Sequence, residues 1–291
     1  MTESAPEAVV TPGGELGEGP AWDDRHGVLV WVDIWAGRVH AYDPQTGHDE
    51  AVEVGQPVGA AVPRAAGGYA LAVRDGFALL EPDGVVRNVA KVEDHIPGNR
   101  MNDGKCDRHG RFWAGTMAAD QRPGAGALYR LDPDLSLTRV VAGVSISNGL
   151  AWSLDDTTLY FIDTPTQGVD AFDYDPSTGE LEHRRRVIDV PPEAGAPDGM
   201  ALDEEGLLWI ALHGGGAIRR YSPDGALDRV VELPAINTTS CAFAGPELDD
   251  LYITSAREGL SADELARQPL AGALFRHRPG VRGVPTERFG G

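Results

Sequence analysis

Four residues carry the main chemical signal in this chain: Glu18, Asp103, Asn148 and Asp198, each standing directly before a glycine. Each heads the same short phrase: a residue, then usually Gly, any residue, usually Ala and an apolar residue. The phrase occurs as Glu18-Gly-Pro-Ala-Trp22, Val58-Gly-Ala-Ala-Val62, Asp103-Gly-Lys-Cys-Asp107, Asn148-Gly-Leu-Ala-Trp152, Asp198-Gly-Met-Ala-Leu202 and, more weakly, Thr239-Ser-Cys-Ala-Phe243. Taken singly, Asp-Gly and Asn-Gly are ordinary turn dipeptides. Glu18 before Gly-Pro is not explained that way. Three carboxylates and an amide sharing one repeat register are better explained by a cation, because carboxylates gathered away from water repel one another and shift their pKa values unless a cation balances them. Oxygen donors of this kind suit Ca²⁺, Mg²⁺ or Mn²⁺, and Zn²⁺ less specifically. A second cluster, Asn99-Arg-Met-Asn-Asp-Gly-Lys105, precedes the third phrase. In it Arg100 and Asn102 offer planar donors suited to the hydroxyl and carbonyl oxygens of a sugar.

Other chemistries are missing from the sequence. It holds no Gly-x-Ser-x-Gly elbow, no His-Glu-x-x-His and no Gly-Lys-Ser/Thr phosphate loop. Gly14-Glu-Leu-Gly-Glu-Gly19 is rich in glycine, but its two glutamates repel phosphate. Cys106 and Cys241 are too few for a disulfide framework or a four-cysteine zinc site and read as buried, inert thiols. His213, at the end of an apolar run, reads as a surface or core histidine.

The elements that must position these residues follow from the repeat. The phrase heads are 40, 45, 45, 50 and 41 residues apart. Each phrase is followed by a turn and a second apolar run, at 29–34, 69–74, 111–116, 159–164, 208–213 and 251–256. A third run then stops at Pro44, Pro82, Pro133, Pro176, Pro223 and Pro279. Proline cannot donate to a sheet ladder, so it marks where each strand ends. A fourth, more polar run often follows. Six such units predict an all-β fold: a six-bladed β-propeller of four-stranded antiparallel blades around a central channel. The last unit shows only three strands, so Ala8–Val10 are expected to supply its outer strand. The whole chain, 1–291, then reads as one domain. The longest helical stretch expected is 261–268.

Composition agrees with this picture. With 37 glycines and 21 prolines, about a fifth of the chain is punctuation, too much for a helix bundle. The formal net charge of −20 disfavours nucleic acid and anionic membrane as partners. No run approaches the ~20 apolar residues of a membrane span, and the opening Met1-Thr-Glu-Ser-Ala-Pro6 lacks the basic and apolar regions of a signal peptide. A cytoplasmic protein, monomeric or a small homo-oligomer, is expected.

Glu-Gly-Pro-x-Trp at 18–22, Asn-Arg-x-Asn-Asp-Gly-Lys at 99–105, Ser-Asn-Gly-Leu at 147–150 and Pro-Asp-Gly-Met at 197–200 resemble the senescence marker protein/gluconolactonase (regucalcin-like) family. The similarity continues through 171–175 and 238–243 to 267–272, and so covers essentially the whole chain. The resemblance implies a six-bladed propeller and a metal-dependent lactonase. It further implies that Glu18, Asn148 and Asp198 ligate one divalent ion (Ca, Zn, Mn or Mg), that Asp198 is the general base, and that Arg100 and Asn102 contact a small-molecule sugar lactone. Where the family has a glutamate that helps hold substrate, this chain has the shorter Asp120, in a shorter loop. The expected reaction is hydrolysis of a gluconolactone-like aldonolactone to the aldonic acid, with Asp103 at the same ring orienting water or relaying a proton. Two other readings use the same site: an organophosphate (phosphotriester) hydrolase, and a non-enzymatic Ca²⁺-binding regulatory protein. The polar Arg100/Asn102 lip argues against the first. The lack of an EF-hand loop argues against the second.

Overall fold

The structure, a computed structural model, describes residues 5–11 and 13–291. Residues 1–4, part of the opening read as lacking a signal peptide, and Pro12 lie outside the described residues. Six four-stranded antiparallel sheets form a six-bladed β-propeller. The innermost strands are Gly17–Asp23, Val58–Pro63, Asn99–Cys106, Ser147–Trp152, Ala196–Leu202 and Thr238–Ala244. They open blades one to six in that order, and each carries one copy of the repeated phrase, the third running one residue past its strand to Asp107. The third strands end at Asp43, Leu80, Leu131, Tyr174, Tyr221 and His277, one or two residues before the six prolines. Blade six is assembled from both ends of the chain, with Glu7–Val10 pairing antiparallel with Leu274–His277. The one α-helix among the described residues, Ala262–Arg267, is short and closed by a Ser261/Glu264 capping box.

One sheet cannot cover its own faces, and the structure resolves this with six separate apolar clusters, one at each blade junction. Phe77 of blade two meets Phe112 of blade three at a 5.3 Å centroid separation, and Trp113 of blade three meets Trp152 of blade four at 5.9 Å. Burial falls off outward: Val58–Pro63 is wholly buried, whereas the outermost His48–Glu53 is mostly exposed.

The Asp-Gly and Asn-Gly pairs lie inside strands, not turns. At each phrase head the pairing between first and second strand slips, between Glu18/Ala21, Val58/Ala60, Met101/Gly104, Ser147/Leu150, Pro197/Met200 and Thr238/Ser240. A β-bulge re-aims its side chain, and six of them stand at one level around the axis. The following glycine is required by crowding between blades. A Cβ on Gly59 would lie 2.3 Å from the Asn102 carbonyl oxygen of the next blade, and one on Gly199 would lie 2.1 Å from Ser240 Oγ.

At the far end of the channel the C-terminal segment runs across five blades. Arg282 O accepts from Glu204 N, Gly283 N donates to Leu248 O, Thr286 Oγ1 accepts from Trp22 N, Phe289 pairs with Pro63 and Ala65, and Gly290 N donates to Gly110 O. Phe289 is fully buried against Phe112. The sequence repeat gives no sign of this strap.

Candidate active site

Inner strands start, and second strands end, at the same face of the disc. Residues early in the inner strands, and those just after the second strands, therefore gather at one mouth of the channel. Glu18, Arg100, Asn102, Asp103, Asn148 and Asp198 are all there, and all are buried. Two aspartates fix the approach of their strands. Asp33 accepts from the backbone N–H groups of Glu15 and Leu16, just ahead of Glu18. Asp163 does the same for Ser145 and Ile146, ahead of Asn148.

A continuous hydrogen-bond chain links blades three, four and five. Arg100 Nη1 donates to Asn102 Oδ1 at 2.6 Å, and Asn102 Nδ2 donates to Asn148 Oδ1 at 3.0 Å and to Ser147 O at 2.8 Å. Asn148 Nδ2 donates to Thr164 Oγ1 at 2.8 Å, and Thr164 Oγ1 donates to Pro197 O at 2.8 Å, directly beside Asp198. The relay sets the orientation of the Asn148 amide, whose oxygen is on the Asn102 side. Asn102 spends both of its N–H groups within the protein, so it acts first on Asn148, and only oxygen lone-pair capacity remains for a ligand. Thr164 was missed by sequence reasoning. Its one signal is its place, directly after a second strand and therefore at this mouth.

The carboxylates are under electrostatic stress. Burial pushes the Glu18 carboxyl up to about 8, with the neighbouring Asp103 charge adding to it and the Gly19 N–H and Arg100 opposing. Asp198 is raised well above the usual carboxylate range by burial, then by Glu18 and Asp103. Asp103 is raised by burial, against the pull of Lys105 and the Gly104 N–H. Burial lowers Arg100 despite the charges of Glu258, Glu18 and Asp198. Lys105 is likewise lowered by burial, and its Nζ donates to Met200 O at 2.6 Å.

Among the described residues no three His, Cys, Asp or Glu side chains form a cluster able to hold a metal by themselves. The set Glu18, Asn148 and Asp198 differs in including an amide. Two buried carboxylates held at raised pKa, beside an amide whose orientation is fixed, fit a hard divalent ion, because such an ion relieves the conflict that burial creates. Asp120 lies at the same end of blade three, with an exposed side chain paired to Arg122 at 3.4 Å. Its hydrogen bonds go to Arg122 and to none of the ring residues. Cys106 and Cys241 are buried free thiols, as expected. A cavity of about 350 Å³ occupies the opposite end of the channel, between Lys105, Trp152 and the strap at Val284–Glu287.

The model of the SMP-30/gluconolactonase/LRE-like region matches residues 16–257, a span that includes every ring residue. The chain belongs to this family. Over 297 residues it is 42% identical to regucalcin of Danio rerio, covering 100% of both chains. Among solved structures, a luciferin-regenerating enzyme superposes with a TM-score of 0.92 at 34% identity, covering 98% of this chain and 100% of that one. A protein of Agrobacterium tumefaciens described as a calcium-binding regucalcin superposes at 0.93 with 31% identity, covering 99% and 97%. The family match thus agrees with the resemblance carried by residues 18–22, 99–105, 147–150 and 197–200. Among the described residues no helix is long and apolar enough to cross a membrane.

Proposed function

We propose that this member of the SMP-30/gluconolactonase family is a lactonase that depends on a divalent cation and opens a sugar aldonolactone to its aldonic acid. The observation that carries this reading is the buried ring of Glu18, Asn148 and Asp198 beside Arg100. It combines an oxygen donor set, a candidate base and a polyol-binding cation in one place. Membership of a family that includes gluconolactonases supports it.

Glu18, Asn148 and Asp198 would hold the ion (Ca²⁺, Zn²⁺, Mn²⁺ or Mg²⁺). When bound, it supplies Lewis-acid polarisation of the lactone carbonyl. Arg100 donates to substrate oxygens, with Asn102 holding its guanidinium in place and Asp120 reaching from the rim. Asp198 accepts a proton from the attacking water as the water oxygen bonds to the carbonyl carbon. The ring C–O bond then breaks, and that proton passes to the departing ring oxygen. The product is an open-chain hydroxy acid. Its new carboxylate faces the buried carboxylates of the ring, and the repulsion favours release. Asp103, at the same ring, orients water or relays a proton. A small lactone is the partner in this reading; the charge of −20 disfavours nucleic acid and anionic membrane.

A pH-stat assay on a panel of pentono- and hexonolactones tests the proposal. Chelator should abolish turnover, and Asp198→Ala should lower kcat by about 10²–10⁴-fold. Full activity in both Asp198→Ala and Glu18→Ala would sink the assignment. The calcium-binding description of the Agrobacterium relative favours a second reading, a calcium sensor built on the same ring. Cation binding without lactone turnover would select it. Hydrolysis of phosphotriesters in preference to lactones would select the organophosphate-hydrolase reading.

A further inference from the structure

The mouth holds an arrangement that the reaction above does not use. Trp35 follows the second strand of blade one, and Glu258 follows the second strand of blade six. Trp35 Nε1 donates to Glu258 Oε1 at 2.7 Å, tying the two blades together across the rim. The Arg100 guanidinium of blade three lies 5.1 Å from the centroid of the Trp35 ring. Glu258 is also the largest favourable charge acting on Arg100, ahead of Glu18 and Asp198. Trp35 is 43% exposed, while the other five tryptophans of the chain are buried in blade junctions. Packing therefore does not explain its place. Arg100 is 7% exposed, and its hydrogen bonds to Met101 O and Asn102 Oδ1 both come from Nη1. Its Nε is buried without a partner. Asn102 thus restrains only one corner of the guanidinium, and the Trp35 face and the Glu258 charge supply the remaining restraint. The Glu258 charge also acts on His213, the partly buried residue that ends the second strand of blade five.

We propose that Trp35 and Glu258 are positioning residues that clamp Arg100 and thereby set which lactone the site accepts. The proposal rests on the reading of Arg100 as the substrate-contacting group. A planar guanidinium fixed in one pose distinguishes a lactone carrying hydroxyls from one without them, because its donors are aimed before substrate arrives. The exposed part of the Trp35 ring adds an apolar face against which the C–H side of a sugar ring can rest. The clamp acts on recognition and leaves the proton transfer at Asp198 unchanged.

The test uses Trp35→Ala, Trp35→Phe, Glu258→Ala and Glu258→Gln in the full chain. With an aldonolactone, Trp35→Ala and Glu258→Ala should raise KM about tenfold with kcat little changed, whereas an unsubstituted lactone of the same ring size should show no such rise. Trp35→Phe keeps a ring face and Glu258→Gln keeps an acceptor oxygen, so both should recover part of the loss. A merely structural role would lower Tm without separating the two substrates. A second readout needs no turnover. Arg100→Ala should shift the indole emission of the wild-type chain and leave that of Trp35→Phe unchanged. Unaltered KM in both alanine variants, or an equal emission shift in the Trp35→Phe background, overturns the clamp. If the wild-type chain hydrolyses no lactone, the functional reading fails, and the emission measurement alone decides the clamp.

Discussion

Removing one carboxylate from the ring should stabilise the cation-free protein and at the same time abolish stabilisation by added cation. Glu18 rises from an ordinary 4.5 to about 8, a shift equivalent to roughly 5 kcal/mol between its two protonation states. The sign follows from linkage. The folded state holds the Glu18 proton more tightly than the unfolded chain does. The penalty is therefore absent below about pH 4.5, grows as pH rises, and is complete above about pH 8. Asp198 is raised in the same direction. Without divalent ions, stability should fall steadily from pH 5 to pH 8.5 as both groups are forced to ionise in a buried place. A cation at a hundredfold excess over its Kd should return about 2.7 kcal/mol. With an unfolding entropy of roughly 2.1 cal/mol/K per residue, the 291 residues lose about 0.6 kcal/mol for each degree near Tm, so the rise should be about 4 °C. Asp198→Asn removes one buried charge and one of the proposed cation ligands. At pH 8 its Tm in chelator should exceed that of the wild type, and added Ca²⁺ or Mn²⁺ should leave it unmoved. Differential scanning fluorimetry with EDTA, then with each ion, measures both quantities. A variant less stable than wild type in EDTA, or one that gains the same increment from cation, would refute the electrostatic argument for the site.

Three further outcomes are expected. Thr164→Val breaks the relay that orients Asn148 while keeping side-chain volume; kcat/KM should fall about tenfold with Tm changed by no more than a few degrees, and an unaltered kcat/KM would show that the amide orients without help. Phe289→Ala opens a hole in the junction of blades two and three and should cost about 3–5 kcal/mol, read as a loss of about 5–8 °C in Tm; a loss under one degree would mean the strap is not part of the cooperative fold. Asp203→Asn strips the charge from a side chain that binds both Trp209 Nε1 and the buried Arg220, and should cost about 3–5 kcal/mol in thermal unfolding. Since Glu205 and Asp228 also reach Arg220, a cost near zero would show that they replace it.

The repeat was legible because every blade faces the same steric problem. Where inner strands converge on the axis there is no room for a Cβ, as Gly59 and Gly199 show, so glycine returns at a fixed interval. Where the third strand ends, proline returns for an equally local reason. The dipeptide signal misleads only as to the local geometry. Asp-Gly and Asn-Gly commonly mark turns, but at 103, 148 and 198 the glycine lies within a strand beside a register slip, where neighbouring atoms leave no room for a Cβ. The strap at 281–291 was not legible. It occurs once, and its contacts join residues far apart in sequence, such as Trp22 and Thr286.

The site divides along the same line. Glu18, Asp103, Asn148 and Asp198 stand in the repeat register, so alignment of the chain with itself finds them. Thr164, Trp35 and Glu258 lie just beyond second strands, in connections that vary from blade to blade, and no periodicity points to them. Yet they act on the very groups the repeat reveals: Thr164 on the Asn148 amide, Trp35 and Glu258 on the Arg100 guanidinium. A symmetric ring of inner strands can bring oxygen donors to one level, but it cannot by itself distinguish one small ligand from another, since each blade offers its neighbours much the same surface. Selectivity has to come from residues that break the symmetry. In this fold these are the loops at the mouth, where insertions leave the six junction cores undisturbed.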